Sequence, residues 1–477
     1  MRRDRHVSHC LHGALVAGQL QQVTMKPGRI LFLLLASMLA HIVSGCAPAS
    51  AVTTHMGTPS NYRGLLKELK PGDHLQLAPG DYKEGLPVHH LHGTSDARIT
   101  ISGASEKNRP VFLARPDHNT ISILNSDHIV IRDLDIEGNN LPVDGVKCEG
   151  HADWAHHITL EGLRVRGHGN TQQTVAISTK CPAWNWIIRK NIIEGAGTGL
   201  YLGNSDGRAP FMAGLIEHNL IVDTIGYNLQ IKHQAPRPAL PGMPHEPSTT
   251  IIRHNVFSKV SGGARMGARP NVLVGHWPLT GPGSNDLYLI YGNFFYQNPH
   301  ESLFQGEGNI ALYNNVFVNH SGDAVRIQPH NGTPRAISVF YNTVIARDTG
   351  ISLSAGKEDL TDQHWIEGNA IFARAPLAGY PSKRNFVGRY QAAGESLIKP
   401  FAPLGQMNLA LLPGKWRFPP IDSGRLRLYL DSEKDFDGAV EDVRFGAYAN
   451  IQSKPERWMP KLEIKPEFYR AKDLTQK

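Results

Sequence analysis

A repeated corner motif constrains the fold of this chain more than any other feature of the sequence. A short apolar run, then Asn and two more apolar residues, recurs at 188–193, 216–221 and 252–257. Successive corners are separated by 22 residues (293 to 315) to 38 residues (255 to 293). Asn at a bend tolerates left-handed backbone angles and can hydrogen-bond the next repeat, so the repeat predicts a solenoid. The corner is predicted at positions 133, 162, 191, 219, 255, 293, 315, 343 and 369, with Asp133 and Gly162 in the first two.

A second short strand follows each corner. Its apolar residues alternate, which points the first and third residues inward and the second and fourth outward. The strands begin at Val146, Val175, Leu200, Leu229, Val272, Leu303, Val325 and Ile351. The predicted outward column is Lys147, Glu149, Ser178, Tyr201, Gln230, Lys232, Phe304, Arg326 and Gln328.

Together these patterns predict an all-β fold, a right-handed parallel β-helix. The chain has 47 glycines and 32 prolines, and 19% of its residues are charged, a composition that suits many short strands and turns. No long amphipathic helix is visible, but a short helix over 62–69 is predicted to cap the first coil and cover its open edge. We predict the β-helix over 61–375 and an irregular tail packed along it over 376–477.

The N-terminal region is typical of an exported protein. The apolar run 30–43 is too short for a comfortable membrane span and follows basic residues, so we interpret it as a signal sequence. Its end, Val43-Ser44-Gly45-Cys46, resembles a bacterial lipobox in which Cys46 accepts the lipid. An ordinary signal peptide with an incidental cysteine is the alternative.

This interpretation divides the N-terminus into three parts. Residues 1–24 are predicted to be a start-site extension, 25–46 the lipoprotein signal peptide and 47–60 a linker. Ala47 after the lipidated cysteine favours the outer membrane, facing the periplasm, over the inner membrane of a bacterial envelope.

Two cysteines, Cys148 and Cys181, remain in the predicted mature chain. A disulfide is allowed in an oxidising compartment. The two residues do not fall at equivalent repeat positions, however, and this favours two buried free thiols over a bridge.

The segment 69–77, followed by Gly80-Asp81-Tyr82 and 99–103, resembles the opening of the alginate lyase and chondroitinase B family of β-helix polysaccharide lyases. Many β-helix proteins share this opening, so it indicates architecture. A more specific similarity is Ile231-Lys232-His233-Gln234, which looks like the family's Val-Lys-Ser-Ser pattern. The resemblance implies that Lys232 is a Brønsted base.

The family's acid is an arginine on the following coil, in a pattern like Leu-Arg-His-Gly. Here Val274-Gly275-His276 occupies that place, with glycine in the arginine slot. Arg265 and Arg269 lie just upstream, and either could enter the gap. The catalytic group implied by the resemblance is therefore Lys232 with Arg269 or Arg265, His276 and His233.

Such a group suits β-elimination of a uronic acid linkage. A base must remove the weakly acidic C5 proton while a cation neutralises the adjacent carboxylate. A lysine serves only if its pKa falls, as neighbouring positive charges cause it to do. A solvated lysine on an exposed sheet is the ordinary alternative. The residues predicted to bind sugar are Lys147, Glu149, Gln173, Tyr201, Gln230, Phe304 and Arg326.

A cofactor is left open. Calcium assists some relatives, but the oxygen donors near this face have no diagnostic spacing, so no metal site is predicted. These donors are Asn204, Asp206, Glu217 and Glu307.

Two inserted loops, 235–248 and 276–284, are predicted to bracket the site. They could equally build a non-catalytic polysaccharide-binding cleft. A uronan C5-epimerase is a further alternative, although Gln328-Pro329-His330-Asn331 carries amides where the epimerase motif Asp-Pro-His-Asp has acids. Hydrolysis would need two carboxylates flanking the bond.

The expected partners follow from charge and export. An acidic polysaccharide is expected, in keeping with the net charge of +7. A membrane is expected through the lipid on Cys46. No nucleic acid partner is expected, and the protein is predicted to be a monomer.

Overall fold

The computed structural model describes residues 52–263, 267–354, 363–380, 384–415, 421, 423–440, 444–449 and 457–468. Chain contacts separate 1–51 from 52–477, and the second unit contains all described residues. Within these ranges, no helix combines the length and apolar composition needed to cross a membrane. The signal segment 25–46 with Cys46, and Arg265, lie outside the described residues.

Three parallel ladders of short strands build this unit, which confirms the predicted parallel β-helix. Ladder A contains Thr54–Gly57, His74–Leu77, Ile99–Gly103, Ser126–Arg132, Ala155–Glu161, Ile187–Arg189, Leu215–Glu217, Thr249–Arg253, Leu287–Tyr291, Ile310–Tyr313, Ile337–Phe340 and Trp365–Glu367, with Ala183–Trp184 and Phe211–Met212 alongside. Ladder B, after the corner, contains Gly80–Tyr82, Pro110–Leu113, Asp135–Glu137, Arg164–Arg166, Ile192–Glu194, Leu220–Val222, Val256–Ser258, Phe294–Tyr296, Val316–Asn319 and Phe386–Gly388.

Ladder C is the second strand of each repeat. It contains Leu86–His89, Ile121–Leu124, Val146–Cys148, Val175–Thr179, Thr198–Leu202, Leu229–Ile231, Val272–Val274, Phe304–Gly306 and Val325–Ile327. Two long strands, Thr343–Leu353 and Ala370–Ala378, join ladders B and C at the C-terminal end of the solenoid. Beyond them lie an antiparallel pair, Leu397–Lys399 with Asn408–Leu411, and short helices at Tyr390–Ala392, Ala393–Ser396 and Ser423–Leu426.

Corner asparagines form a continuous ladder of buried hydrogen bonds. Asn255 Oδ1 accepts from the backbone N–H of Asn219 at 3.0 Å and from its Nδ2 at 2.9 Å. Asn255 Nδ2 in turn donates to the Ile216 carbonyl at 2.9 Å. The pattern ties each coil to both neighbours, so the predicted corner is confirmed for most of the solenoid. The ladder consists of Asn191, Asn219, Asn255, Asn293, Asn315, Asn342, Asn369 and Asn385.

Three predicted corner positions are wrong by one residue. Strand register aligns Leu134 and Leu163, not Asp133 and Gly162, with Asn191. Similarly Asn342, not residue 343, belongs to the ladder. The left-handed bend falls on the residue before the Asn, as at Lys190 with φ 56°. The bend and the hydrogen-bonding side chain therefore occupy separate positions, which is why Asp133 and Gly162 resemble the corner.

Cys148 and Cys181 form a disulfide, so the prediction of two free thiols was wrong. Cys148 pairs in register with Thr179, two residues before Cys181. On straight neighbouring strands such an offset would separate the Cα atoms by about 8 Å. The observed Cα–Cα distance is 6.0 Å, within the disulfide range, because the chain bends after Thr179.

Apolar side chains fill the interior of the solenoid, and they also pack beneath the two segments that cover it, an N-terminal helix and the C-terminal tail. The helix Tyr62–Leu66, shorter than predicted, buries Tyr62 against the first coils, and the Tyr62 hydroxyl donates to the Gly85 carbonyl. The tail places Phe436 and Trp458 on the outer face of ladder B, in one cluster with Phe294. The C-terminal tail therefore covers the outer face of ladder B.

Asn255→Ala should lower the free energy of unfolding by about 3 kcal/mol, because it leaves the buried donors of Asn219 and the Ile216 carbonyl without their partner. Chemical denaturation measures the change. Asn108→Ala, in an exposed turn, is the matched control and should change stability by less than about 0.5 kcal/mol. Equal stability of the two variants would contradict a structural role for the ladder of buried asparagines.

Candidate functional site

A groove of about 560 Å³ crosses ladder C in the first half of the solenoid. Its floor is a register column in which Lys147 pairs with Ser178, Ser178 with Tyr201 and Tyr201 with Gln230. Side chains that line it include Asn119, Asp144, Lys147, Gln172, Gln173, Lys180, Tyr201, Tyr227, Gln230, Lys232 and Arg269. Six of the twelve predicted site residues therefore line this groove: Lys147, Gln173, Tyr201, Gln230, Lys232 and Arg269.

Tyr201 lies between two lysines. Lys180 Nζ is 3.4 Å from the Tyr201 ring centroid and Lys232 Nζ is 5.9 Å from it. Both lysines follow their ladder C strands at equivalent positions, with Gly203 between them on the intervening coil. Gly203 has φ 87° and no side chain, so the intervening coil places no side chain at the register position between the two lysines.

Burial, together with the positive charges of Lys147 and Lys232, lowers the pKa of Lys180 to about 8, although the charge of Asp144 opposes the shift. Burial also lowers the pKa of Lys232, against the opposing charge of Glu307. The pKa of the Tyr201 hydroxyl is raised by burial. The groove therefore holds two lysines whose pKa values are lower than usual, next to a tyrosine whose hydroxyl stays protonated.

The groove is strongly cationic. Among its described lining residues, Lys147, Lys180, Lys232 and Arg269 face a single carboxylate, Asp144. That carboxylate is already engaged, since it pairs with Lys147 at 3.3 Å and accepts a hydrogen bond from Ser178 Oγ at 3.1 Å. Lys180, Lys232 and Arg269 thus remain available for an anionic ligand.

The structure corrects the placement of Phe304, which faces inward and is fully buried. The strand begins at Phe304, paired with inward Val272, so the prediction started the strand one residue early, at Leu303. Gln305, on the neighbouring position, is the outward residue of this coil. Phe304 therefore contributes to the core, and a sugar cannot contact it.

Four other predicted residues lie outside the groove. His276 is buried against Gly332, and His233 does not line the groove either. Glu149 accepts a hydrogen bond from Asn119 at 2.9 Å and lines an adjoining cavity with three histidines. Arg326 is bound to Asp323 and Glu301 three coils further along. Neither histidine therefore lines the groove that contains Lys232.

The two inserted loops do not frame the groove as predicted, since no described residue of 235–248 or 276–284 lines it. They are instead held beside ladder A. Arg237 of the first loop forms a buried ion pair with Asp286, just after the second. Met243 packs against Trp184 and Met212. The groove walls come instead from the turns that carry Gln172, Gln173 and Arg269.

Sequence reasoning missed Lys180 and Tyr227. Lys180 has a signal in the sequence, because the alternation that made Ser178 outward makes Lys180 outward too. Tyr227 has none, since it precedes its strand and reaches the groove from a turn. Arg269 packs near the Tyr227 ring, with its guanidinium carbon 5.9 Å from the centroid.

The oxygen donors considered for calcium do not share a site among the described residues. Glu217 pairs with Arg253 at 2.8 Å, and Asp206 accepts the Arg208 backbone N–H at 3.0 Å. Glu307 accepts the backbone N–H groups of Asn331 and Gly332. Glu217, Asp206 and Glu307 Oε2 therefore each have a hydrogen-bond partner within the fold.

No protein-family model and no curated protein matches the chain. Similar solved structures include the alginate lyase from Paenibacillus sp. str. FPU-7, with 14% identity, a TM-score of 0.35 and coverage of 70% of this chain and 99% of that chain. A GH136 lacto-N-biosidase from Eubacterium ramulus shows 11% identity, a TM-score of 0.47 and coverage of 71% and 68%. The A-module of an Azotobacter vinelandii mannuronan C-5 epimerase shows 13% identity and a TM-score of 0.37, with coverage of 69% of this chain and 92% of that chain. The likeness concerns the fold.

Arg269→Ala should weaken binding of an oligouronate by roughly 10- to 100-fold, because a hydrogen bond between charged groups contributes about 1.5–3 kcal/mol. Isothermal titration with oligogalacturonate and oligomannuronate measures the affinity. Arg374→Ala is the control, since Arg374 is an exposed arginine paired with Asp348 outside the groove. Equal affinities for both variants would show that the groove is not where these sugars bind.

Proposed function

We propose that the protein is an extracytoplasmic lyase that cleaves a uronic-acid-containing polysaccharide by β-elimination. The observation that carries the proposal is the placement of Tyr201 between Lys180 and Lys232 in a cationic groove. The long, open floor suits a chain-like ligand, and the excess positive charge suits an acidic one.

The reaction needs a base, a cation for the carboxylate and an acid for the leaving oxygen. Neutral Lys180 takes the C5 proton, because its pKa is about 8 and a useful fraction is unprotonated near neutral pH. Lys232 and Arg269 bind the substrate carboxylate and stabilise the negative charge that develops beside it. The electron pair from the C5–H bond forms the C4–C5 double bond, and the C4–O bond breaks. Tyr201 donates its hydroxyl proton to the departing oxygen.

This assignment moves the base from Lys232, which the sequence resemblance implied, to Lys180. Both lysines stand over the same ring, but Lys180 is closer to it and only its pKa falls to about 8. Lys232 keeps a role as a cation for the carboxylate. The two assignments differ in their kinetic consequences.

Lys180→Ala should lower kcat by about 100-fold or more, the usual contribution of a general base, with a small change in KM. Lys232→Ala should raise KM, because it removes a carboxylate contact, and should lower kcat by less than Lys180→Ala does. Absorbance of the unsaturated uronate product, followed on alginate, pectate, hyaluronan and chondroitin or dermatan sulfates, measures both. Lys107→Ala, in an exposed turn, is the control and should match the unaltered protein.

The pH profile tests the same base independently. Because Lys180 must be unprotonated, kcat/KM should rise as the pH increases through about 8 and then level off. A kcat of Lys180→Ala equal to that of the unaltered protein would exclude Lys180 as the base. Binding without turnover on the whole panel would indicate a polysaccharide-binding protein. Exchange of the C5 proton without cleavage would indicate an epimerase.

We also propose that the protein is anchored in the bacterial outer membrane by a lipid on Cys46 and faces the periplasm. The support is the apolar segment 30–43 followed by Val43-Ser44-Gly45-Cys46. Metabolic labelling with a fatty acid should mark the unaltered protein and not Cys46→Ala. Equal labelling of both would place the lipid elsewhere, and no labelling of either would leave an ordinary signal peptide.

A further inference from the structure

Three histidines meet on ladder A, on strands that do not form the groove. His128 belongs to Ser126–Arg132, and His156 and His157 belong to Ala155–Glu161 on the next coil. One ring nitrogen from each lies within 4.8 Å of the other two. We propose that these histidines bind one divalent first-row transition metal ion, of the class of Zn²⁺, that links the two coils.

The spacing of the donors is close to that of a metal site. His156 Nδ1 and His157 Nδ1 are 2.8 Å apart. Two nitrogens on a tetrahedral Zn²⁺ lie about 3.4 Å apart, given Zn–N bonds of about 2.0–2.1 Å. The His128 ring is stacked on the His157 ring at 4.3 Å and 10°. The His128 ring must therefore tilt out of this stack, with Nδ1 still bonded to Asp127, to direct its Nε2 lone pair at the shared ion.

Neighbouring side chains can fix each imidazole in a ligating form. Asp127 accepts from His128 Nδ1 at 2.7 Å, which leaves Nε2 of that ring with its lone pair. Asn185 Nδ2 lies 3.0 Å from His157 Nε2. With the amide flipped, Asn185 Oδ1 would accept the Nε2–H and leave His157 Nδ1 free for a metal. Carboxylate and amide partners of this kind are the usual supports of metal-binding histidines.

The site is also chemically selective. Neutral imidazole is a borderline ligand that favours zinc, copper or nickel over calcium or magnesium. The Asp127 carboxylate supplies negative charge beside the ion, with His92 on its other oxygen at 2.7 Å.

Packing alone does not call for histidine at these positions. His128 and His157 occupy the same left-handed bend on successive coils, with φ 55° and 53°. Asn185 fills that bend on the following coil, with φ 56°. Asn is a common residue in this conformation. The fold therefore requires a residue that tolerates the left-handed bend, and it does not require an imidazole. The double variant His128→Asn/His157→Asn therefore removes two ligands while matching the residue of the next coil.

Titration of tag-free, chelator-treated full-length protein with Zn²⁺ tests the site, and the visible absorption of the Co²⁺ form reports tetrahedral coordination. The unaltered protein should bind one more Zn²⁺ than the double variant and should melt at a higher temperature when Zn²⁺ is added. Cu²⁺ should quench the fluorescence of Trp154 and Trp184, which stack on His156 at 4.8 and 4.4 Å. Asp127→Asn should weaken Zn²⁺ binding by roughly 10- to 100-fold.

His245→Asn, in an exposed loop, is the matched control and should bind Zn²⁺ as the unaltered protein does. Identical Zn²⁺ stoichiometry and affinity for the double variant and the control would overturn the proposal. So would the absence of any Zn²⁺ binding by the unaltered protein, which would leave the histidines as a packed stack. Neither outcome bears on the lyase proposal, because the groove and this cluster share no residue.

Discussion

Stacked amides at a single corner hold the coils of this solenoid in register. Each buried Asn side chain bonds the coil before it and the coil after it, so the strand order of all three ladders is fixed at one edge. A buried amide without partners is costly, and a slip of one residue would break every link at once. The regular outward face of ladder C is a consequence of this registry, because only aligned coils place successive side chains in one column.

The groove depends on a glycine in that column as well as on the polar side chains around it. Gly203 places no side chain between Lys180 and Lys232, and the Tyr201 ring lies within 3.4 Å and 5.9 Å of their Nζ atoms. Burial and mutual repulsion then lower the pKa of Lys180, while Asp144 is occupied by Lys147 and Ser178. The same backbone regularity that builds the scaffold thus gathers like charges closely enough to change their chemistry.

Ladder A offers a different use of stacking. At the bend shared by His128, His157 and Asn185, side chains on adjacent coils come within bonding distance of one another, as they do at the Asn corner. Amides at the corner form hydrogen bonds with one another, whereas imidazoles can either form hydrogen bonds with one another or bind one shared metal ion. Repetition in this fold therefore brings identical functional groups together without long-range folding of the chain.

The sequence by itself determined the solenoid, the alternation of each strand and the position of Lys232, because corners and alternation are local patterns that repeat. It failed where the answer depended on register between coils: Phe304 was turned outward and three corners were displaced by one residue. The Cys148–Cys181 bridge and the position of the loops depended on a bend after Thr179 and on the buried Arg237–Asp286 pair. Contacts between residues far apart in the chain leave no periodic trace, so only the tertiary structure decided them.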